Sequence, residues 1–400
     1  MPHECENCLA TYIHKSRYDA HMKKCKKNGK LEDLINKKIK EALNEFTVLL
    51  QAKYVLTERT ERTERTETTE PINSLEVTPV RRHFKLKKAP IEMIETPLTN
   101  VMKPILKWVG GKTQIIDDVL GLFPKTINNY HEPFLGGGSV LLALLSQIRD
   151  GKAAVTGTIY ASDLNPYLIA LYTNMQSNVD NLIVEAKALI EEYEKITGTD
   201  INRKPANEGE ARGSQESFYY WIRSRFNTFG SDDRKSARGS AMFLFINKTC
   251  FRGVYREGPT GINVPFGHYK SPGIMDEDHM RAVSALIRNV VFTCQPFTAS
   301  VAKSTAGDFV YLDPPYAPED VNSFVAYTKK GFDLDEHRTL FKEIHALSAK
   351  GVKLAMSNAE VKLVTDAFPE PTYKTKIISC RRAINSKDPA DKTNEVLIVN

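Results

Sequence analysis

The chain has 400 residues, 41% of them hydrophobic, and a net charge of +6, with an isoelectric point near 8.8. That length accommodates two or more domains and a large core, and the mild basicity permits a polyanionic partner without requiring one. The apolar runs are far shorter than a bilayer crossing, and the opening MPHECENC lacks the apolar stretch of a secretion signal, so no membrane association is expected. The six cysteines divide into a close trio (Cys5, Cys8, Cys25) and three scattered ones (Cys250, Cys294, Cys380), which is no disulfide framework. A reducing compartment follows: the cytoplasm, or the nucleus in a eukaryotic host.

Residues 1–30 are rich in Lys and His, with the spacing Cys5-x2-Cys8-x12-His21-x3-Cys25. Two thiolates on a loop, then a His and a Cys one helical turn apart, can close a tetrahedral Zn2+ site. The spacing resembles that of small ββα zinc fingers, with Tyr12 and Tyr18 at core positions. So short a segment draws much of its folding energy from the metal. What the finger touches stays open. Lys15, Arg17, Lys23, Lys24, Lys26 and Lys27 suit phosphates, and a solvated or protein-binding face fits equally well.

Ile35, Ile39, Leu43, Phe46, Leu49 and Leu50 recur at helical spacing, which predicts an amphipathic helix over 31–56. It serves either self-association or packing on its own chain. TERTERTERTETTE (57–70) offers nothing to bury and opens a low-complexity linker, expected over 57–100. Within it PVRRHFKLKK (79–88) is basic: a solvated run, a nuclear address or a phosphate contact.

From 101 to 400 a rhythm repeats. KPILKWVGGKTQII, HEPFLGGGSVLLALL, GTIYASDLNPYLIALY, DFVYLDPPY and VKLAMSNA each read as an apolar strand, a small or acidic turn and, in most cases, an apolar helix. The pattern predicts an α/β fold with a mostly parallel sheet and flanking helices. Ligands of such sheets sit at the carboxyl ends of strands, where Glu132, Gly136, Asp163, Asp313 and Ser357 fall. DINRKPANEGEARGSQE (200–216) reads as an inserted, mobile loop.

EPFLGGGS is a strand running into a glycine turn and a helix. Glycine permits close backbone approach, and the helix N-terminus favours electron-rich groups. Alone this is an ordinary tight turn. Asp163, one βαβ unit later, is placed to accept from ribose hydroxyls, and the pair reads as a nucleoside-bearing cofactor site. WVGGKT is not a P-loop, because Leu106 stands where the first glycine is needed.

In VYLDPPYAP (310–318) a strand ends on a carboxylate, followed by two prolines and an aromatic. Proline fixes φ and has no N–H, so the loop presents carbonyls and Asp313 alone, an acceptor-only pocket. A nucleobase amino group with two N–H donors satisfies it, and Tyr316 offers a face for the base to stack on. A rigid capped strand end is the structural alternative.

KWVGGKTQ, EPFLGGGSV, SDLNPYLIALY and LDPPYAP, in this order, resemble the S-adenosylmethionine-dependent DNA adenine-N6 methyltransferases of the Dam-like type. FLFINKTCFRGVYREGPTGINVPFGHYKSP is similar to that family's target-recognition hairpin, and CRRAINSKDPADKTNEVLIVN to its C-terminal end. The resemblance spans about residues 103–400 and implies a Rossmann-like methyltransferase domain with a smaller target-recognition subdomain, about 170–275. It implies cofactor contacts from Trp108, Lys112, Glu132, Phe134, Gly136, Gly138, Asp163 and Asp313. It implies catalytic roles for Asp313, Pro314, Pro315 and Tyr316, and contacts to double-stranded DNA from Lys107, Val254, Arg256 and Pro265, with GATC the leading target. Arg252 departs from the family's CxNG pattern, which has Asn there, and adds positive charge at the DNA surface. Restriction-modification is one setting for such an enzyme, and the sequence identifies no nuclease partner. Methylation of RNA adenine or cytosine N4, and a zinc-finger regulator with an inactive methylase domain, are the rival readings.

Overall fold

The computed structural model describes residues 3–4, 11–12, 91–318, 332–381 and 392–400. Two compact units divide the chain, Met1–Leu86 and Lys87–Asn400. In the first, His3–Glu4 pairs antiparallel with Thr11–Tyr12. The expected zinc ligands Cys5, Cys8, His21 and Cys25, the helix over 31–56 and the Thr-Glu-Arg repeat lie outside the described residues.

Residues 91–100, expected within the linker, instead pack on the second unit. Ile94 is 3% exposed and joins the core. Its N–H donates to the Phe123 carbonyl, Lys125 N–H donates to Glu92, and Leu98 N–H donates to Asp117 Oδ1. Buried Ile94, Leu98 packed against the core and these three hydrogen bonds of backbone groups hold the segment in place.

The second unit is built on seven strands: β1 (Tyr130–Glu132), β2 (Ile159–Asp163), β3 (Val290–Cys294), β4 (Phe309–Leu312), β5 (Lys353–Ala359), β6 (Lys374–Arg381) and β7 (Lys392–Val399). Their spatial order is β6-β7-β5-β4-β1-β2-β3. β5, β4, β1, β2 and β3 are parallel, and β7 runs antiparallel between β5 and β6. The sheet is mostly parallel, as the strand–helix rhythm predicts. Both faces are covered. Phe309, Tyr311, Ala355 and Leu397 join one core cluster, while Val310, Leu312, Leu354, Met356, Val396 and Ile398 join the other. The alternation of clusters along β4, β5 and β7 is the two-residue period of a strand buried on both faces.

Helix α1 (Ser139–Arg149) follows β1, and α2 (Pro166–Ser177) follows β2. The Asn165 side chain caps α2 by accepting from the Tyr167 and Leu168 N–H groups, and Pro166 supplies the fixed φ of a first helical position. Between β2 and β3 the chain inserts α3 (Val179–Glu194), α4 (Gln215–Thr228), α5 (Ala237–Thr249), a hairpin pairing Glu257–Gly258 with Gly261–Ile262, and α6 (Glu277–Leu286). Helix α7 (Leu334–Ala349), capped by Asp333, precedes β5. The chain builds outward from β1 through β2 to β3, then returns to lay β4 on the other side of β1. That reversal opens a crevice between the carboxyl ends of β1 and β4.

Two expectations change. KPILKW forms no strand, because Ile105 and Leu106 are buried within irregular chain and the Asn247 side chain satisfies both backbone groups of Lys107. The 200–216 stretch is not a bare loop. It holds a short helix, Glu208–Ala211, and its polar groups bond one another: Asn202 Nδ2 to Glu210, Arg203 Nε to Glu216 at 2.7 Å, and Asn202 N–H to Ser217 Oγ.

Ile344 on α7 is fully buried in the cluster that holds Val310, Leu312 and Met356. Ile344→Ala is expected to cost about 2–4 kcal/mol in denaturant unfolding with the slope of the transition unchanged. A loss below about 1 kcal/mol would mean this face is loosely packed.

Candidate active site and nucleic-acid interface

The rim of the sheet gathers the acidic residues. Glu132 ends β1, Asp163 ends β2, and Asp313 follows β4 directly. Each is held differently. Asp163 Oδ2 accepts from Gly136 N–H at 3.0 Å and Oδ1 from Asn165 N–H at 2.9 Å, which locks the glycine turn to the next strand. Burial pushes its pKa up, and these N–H groups pull against the shift. A carboxylate has about four acceptor positions, so these N–H groups leave acceptor capacity for a hydroxyl donor. Glu132, 2% exposed, accepts from the Tyr130 hydroxyl at 2.6 Å. Burial raises its pKa to about 8, opposed by the Tyr130 bond and reinforced by the nearby Asp313 charge. Asp313 Oδ2 lies 2.7 Å from Lys112 Nζ, with the two side chains 19% and 3% exposed. Burial raises the Asp313 pKa, the Lys112 ammonium opposes the rise, and Glu395 adds to it.

Lys112 is steered by its surroundings. Its N–H donates to Ser139 Oγ, its Nζ donates to the Gly110 carbonyl, and the same Nζ lies 5.1 Å from the Tyr316 ring centre. The loop after Asp313 is fixed at its far end, where Ala317 N–H donates to Asn358 Oδ1 and the Tyr316 hydroxyl donates to Glu395 Oε2 at 2.8 Å.

The glycine turn shapes the adjoining cradle. A Cβ on Gly137 would lie 2.8 Å from Trp108 Cβ, so the indole closes over bare backbone. Gly138 adopts φ +69°, and a Cβ there would lie 2.5 Å from the Tyr172 hydroxyl. Gly138 therefore faces Tyr172 and does not line the cleft, which separates it from the other cofactor candidates. Trp108 stacks on Tyr255 (5.8 Å between centres), and Phe134 on Phe297 (5.5 Å). The resulting cleft of about 1890 Å³ is lined by Trp108, Lys112, Glu132, Phe134, Gly136, Asp163, Asp313, Pro314, Pro315 and Tyr316. That space exceeds what one drug-sized ligand needs and admits a nucleoside cofactor together with a flipped base. The bare glycine backbone under Trp108, the free acceptor positions of Asp163 and the buried acid Glu132 fit S-adenosylmethionine, which carries a ribose diol and cationic groups.

The DNA candidates adjoin one mouth of this cleft. Lys107, Arg252 and Val254 line it. Gly253 has φ +66°, and an added Cβ would lie 2.3 Å from Lys107 Cβ, so only glycine brings the turn ahead of the 257–262 hairpin this close. Asn247 clamps the junction, accepting from Lys107 N–H and donating to the Lys107 and Gly253 carbonyls. Tyr269 ties Lys107 to Arg252: the Lys107 ammonium sits 4.0 Å from the ring centre, and Arg252 N–H donates to the hydroxyl. The Pro265 carbonyl accepts from Phe251 N–H. Arg256 lies outside the cleft wall, with Nε and Nη2 on the Asn263 side chain and carbonyl. The sequence reading missed Glu395, Asn247 and Tyr255. The acid within the apolar strand TNEVLIVN was the one available signal for Glu395.

A family model described as D12 class N6 adenine-specific DNA methyltransferase matches residues 108–384. A type II methyltransferase, M.MjaIII of Methanocaldococcus jannaschii, is 36% identical over 310 residues, 75% of this chain and 99% of its own. The DNA adenine methylase of Serratia marcescens is 29% identical over 74% of this chain and 97% of its own. That of Escherichia coli K12 is 28% identical over 74% and 94%.

Glu132 carries a pH signature. Its folded pKa is raised from 4.5 to about 8, so the folded state holds the proton more tightly than the unfolded chain. Its contribution is most favourable at acid pH and is lost as pH rises from 4.5 through 8. Without cofactor, Glu132→Gln is expected to remove roughly 2 kcal/mol of stability loss between pH 6 and pH 8. Parallel stability–pH curves for the two proteins would show Glu132 ionised throughout.

Proposed function

The chain belongs to the D12 class of N6 adenine-specific DNA methyltransferases, and on that premise we propose that Asp313, Pro314, Pro315 and Tyr316 receive an adenine turned out of a DNA duplex. The chain methylates N6 of adenine in DNA. S-adenosylmethionine supplies an electrophilic methyl whose bond to the sulfonium sulfur breaks as the N6–carbon bond forms, the sulfur keeping the electron pair.

What the protein supplies is placement. Tyr316 stacks against the base, and Asp313 Oδ1 and the Pro314 carbonyl accept the two N6–H bonds. Two acceptors on an aromatic amine favour a pyramidal nitrogen and localise its lone pair for in-line attack. Lys112 holds Asp313 Oδ2 at 2.7 Å. It thereby favours the charged carboxylate and orients it, opposing the burial that raises its pKa, beside the position where positive charge develops on nitrogen. The methylated nitrogen then releases one proton to solvent, a step that needs no strong base. Trp108, Phe134 and Gly136 enclose the cofactor, with Asp163 on its ribose and Glu132 near its cationic end. The observation that carries this reading is the Lys112–Asp313 pair set beside Tyr316 at the carboxyl end of β4.

GATC is the proposed target. Lys107 and Arg256 suit guanine O6 and N7, Val254 and Pro265 supply apolar contacts, and Arg252 strengthens the hold on the backbone. Arg256 must exchange its Asn263 bonds for a base edge. For the N-terminal segment the proposal is that Cys5, Cys8, His21 and Cys25 hold a structural Zn2+, and an enzyme acting on DNA works inside the cell.

Labelled methyl transfer to duplexes with and without GATC tests the reading. Label is expected on GATC alone. Asp313→Ala should lower turnover roughly 10³-fold while cofactor affinity changes only a few-fold. Label on both duplexes would discard the target assignment, and near-normal turnover of the variant would discard the role of Asp313. For the metal, elemental analysis is expected to give one zinc per chain, lost in Cys8→Ser with catalytic rate on a short duplex preserved. Equal zinc in both proteins would place the metal elsewhere.

A further inference from the structure

Tyr316 is fixed at both ends of its residue, and the outer fixture comes from a distant part of the chain. Asn358 Oδ1 accepts from Ala317 N–H at 3.0 Å and holds the backbone. Glu395 Oε2 accepts from the Tyr316 hydroxyl at 2.8 Å and holds the ring. Glu395 sits on β7 opposite Ala359, the last residue of β5, and lines the same cleft as Asp313. The carboxylate lies close enough to Asp313 and Tyr316 to raise both pKa values, so this acid is retained at an electrostatic cost beside another acid. Packing alone would favour an apolar side chain there, as at its strand neighbours Val396, Leu397 and Ile398.

We propose that Glu395 is a positioning residue for methyl transfer: by accepting from the Tyr316 hydroxyl it sets the plane of the ring against which the target adenine stacks. The inference rests on the reading of Tyr316 as that stacking platform. The prolines fix the backbone before Tyr316 but leave its two side-chain torsions free. A ring anchored only at Cβ swings its face, and the base it carries moves with it. Attack on the methyl tolerates little misplacement, and a displacement of about 1 Å costs up to 10²-fold. The tyrosine hydroxyl thus has a use that a phenylalanine could not serve, although stacking itself requires only the ring.

The test is a mutant cycle read by single-turnover methylation, together with the fluorescence of a duplex carrying 2-aminopurine at the target position. Glu395→Ala is expected to slow methyl transfer about tenfold and to weaken the stacking quench, with cofactor and duplex affinities within about twofold. Glu395→Gln keeps an acceptor oxygen and should stay within about threefold of the parent. Tyr316→Phe should show the same tenfold deficit, and adding Glu395→Ala to it should slow the reaction less than twofold further. If Glu395→Ala fails to fold, the Tyr316→Phe and Glu395→Gln rates decide. Equal loss in Gln and Ala, or an undiminished effect of Glu395→Ala on the Tyr316→Phe background, would overturn the proposal. A parent protein that methylates no adenine in any duplex would instead fail the underlying reading.

Discussion

Crowding of negative charge at one rim of the sheet is the constraint on which the site depends. Glu132, Asp163 and Asp313 end three parallel strands, and Glu395 joins them from a fourth. Burying a carboxylate costs several kcal/mol unless a cation or hydrogen bonds offset it. Each acid meets that cost in its own way: Lys112 for Asp313, two backbone N–H groups for Asp163, and a raised pKa with the Tyr130 hydroxyl for Glu132. On the proposed reading the three solutions suit three tasks: a cation-paired acid where an amine becomes cationic, a hydrogen-bonded one where a diol docks, and an acid of raised pKa where a cationic ligand can draw off its proton.

The irregular segment 103–112 joins the proposed cofactor site to the proposed nucleic-acid surface. Residues within six positions of one another reach three different partners. Lys107 is held by Asn247 against the turn ahead of the 257–262 hairpin, Trp108 lies over the glycine turn and against Tyr255, and Lys112 reaches Asp313. A strand would force alternate side chains onto opposite faces of a sheet and could not deliver all three. The Asn247 side chain replaces the missing ladder for Lys107, which lets the segment stay irregular without orphaned backbone groups.

What the sequence disclosed and what it withheld divide by distance along the chain. The strand–turn–helix rhythm, the glycine turn and the acceptor-only DPPY loop are local patterns, and Glu132, Asp163 and Asp313 fall at or just past strand ends as expected, whereas Ser357 lies inside β5, fully buried with its hydroxyl against that of Tyr311. Interactions that span the chain were not legible. Nothing in WVGGKT says that Lys112 pairs with Asp313, 201 positions later, although both residues were singled out separately. Tyr316 and Glu395 are 79 residues apart, and Lys107 and Asn247 are 140 apart. KPILKW misled because two buried apolar residues look alike in a strand and in a packed loop. Residues 91–100 misled because their apolar residues, Ile91, Met93, Ile94 and Leu98, follow no clear helical or strand period, so the packing of Ile94 and Leu98 left no pattern to read.

The direction of β7 explains why an acid from the end of the chain reaches the site at all. The other strands at this rim contribute their carboxyl ends. β7 is antiparallel to its neighbours, so its early residues lie at the same rim, and Glu395 pairs with Ala359 where β5 finishes. A parallel strand in that place would have put Glu395 toward the opposite edge of the sheet. The strand reversal therefore does more than extend the sheet: it adds one side chain from the amino-terminal half of a strand to a crevice otherwise assembled from carboxyl ends. The Tyr316 hydroxyl meets that side chain, so the packing of the last strand and the orientation of the Tyr316 ring form one mechanical unit.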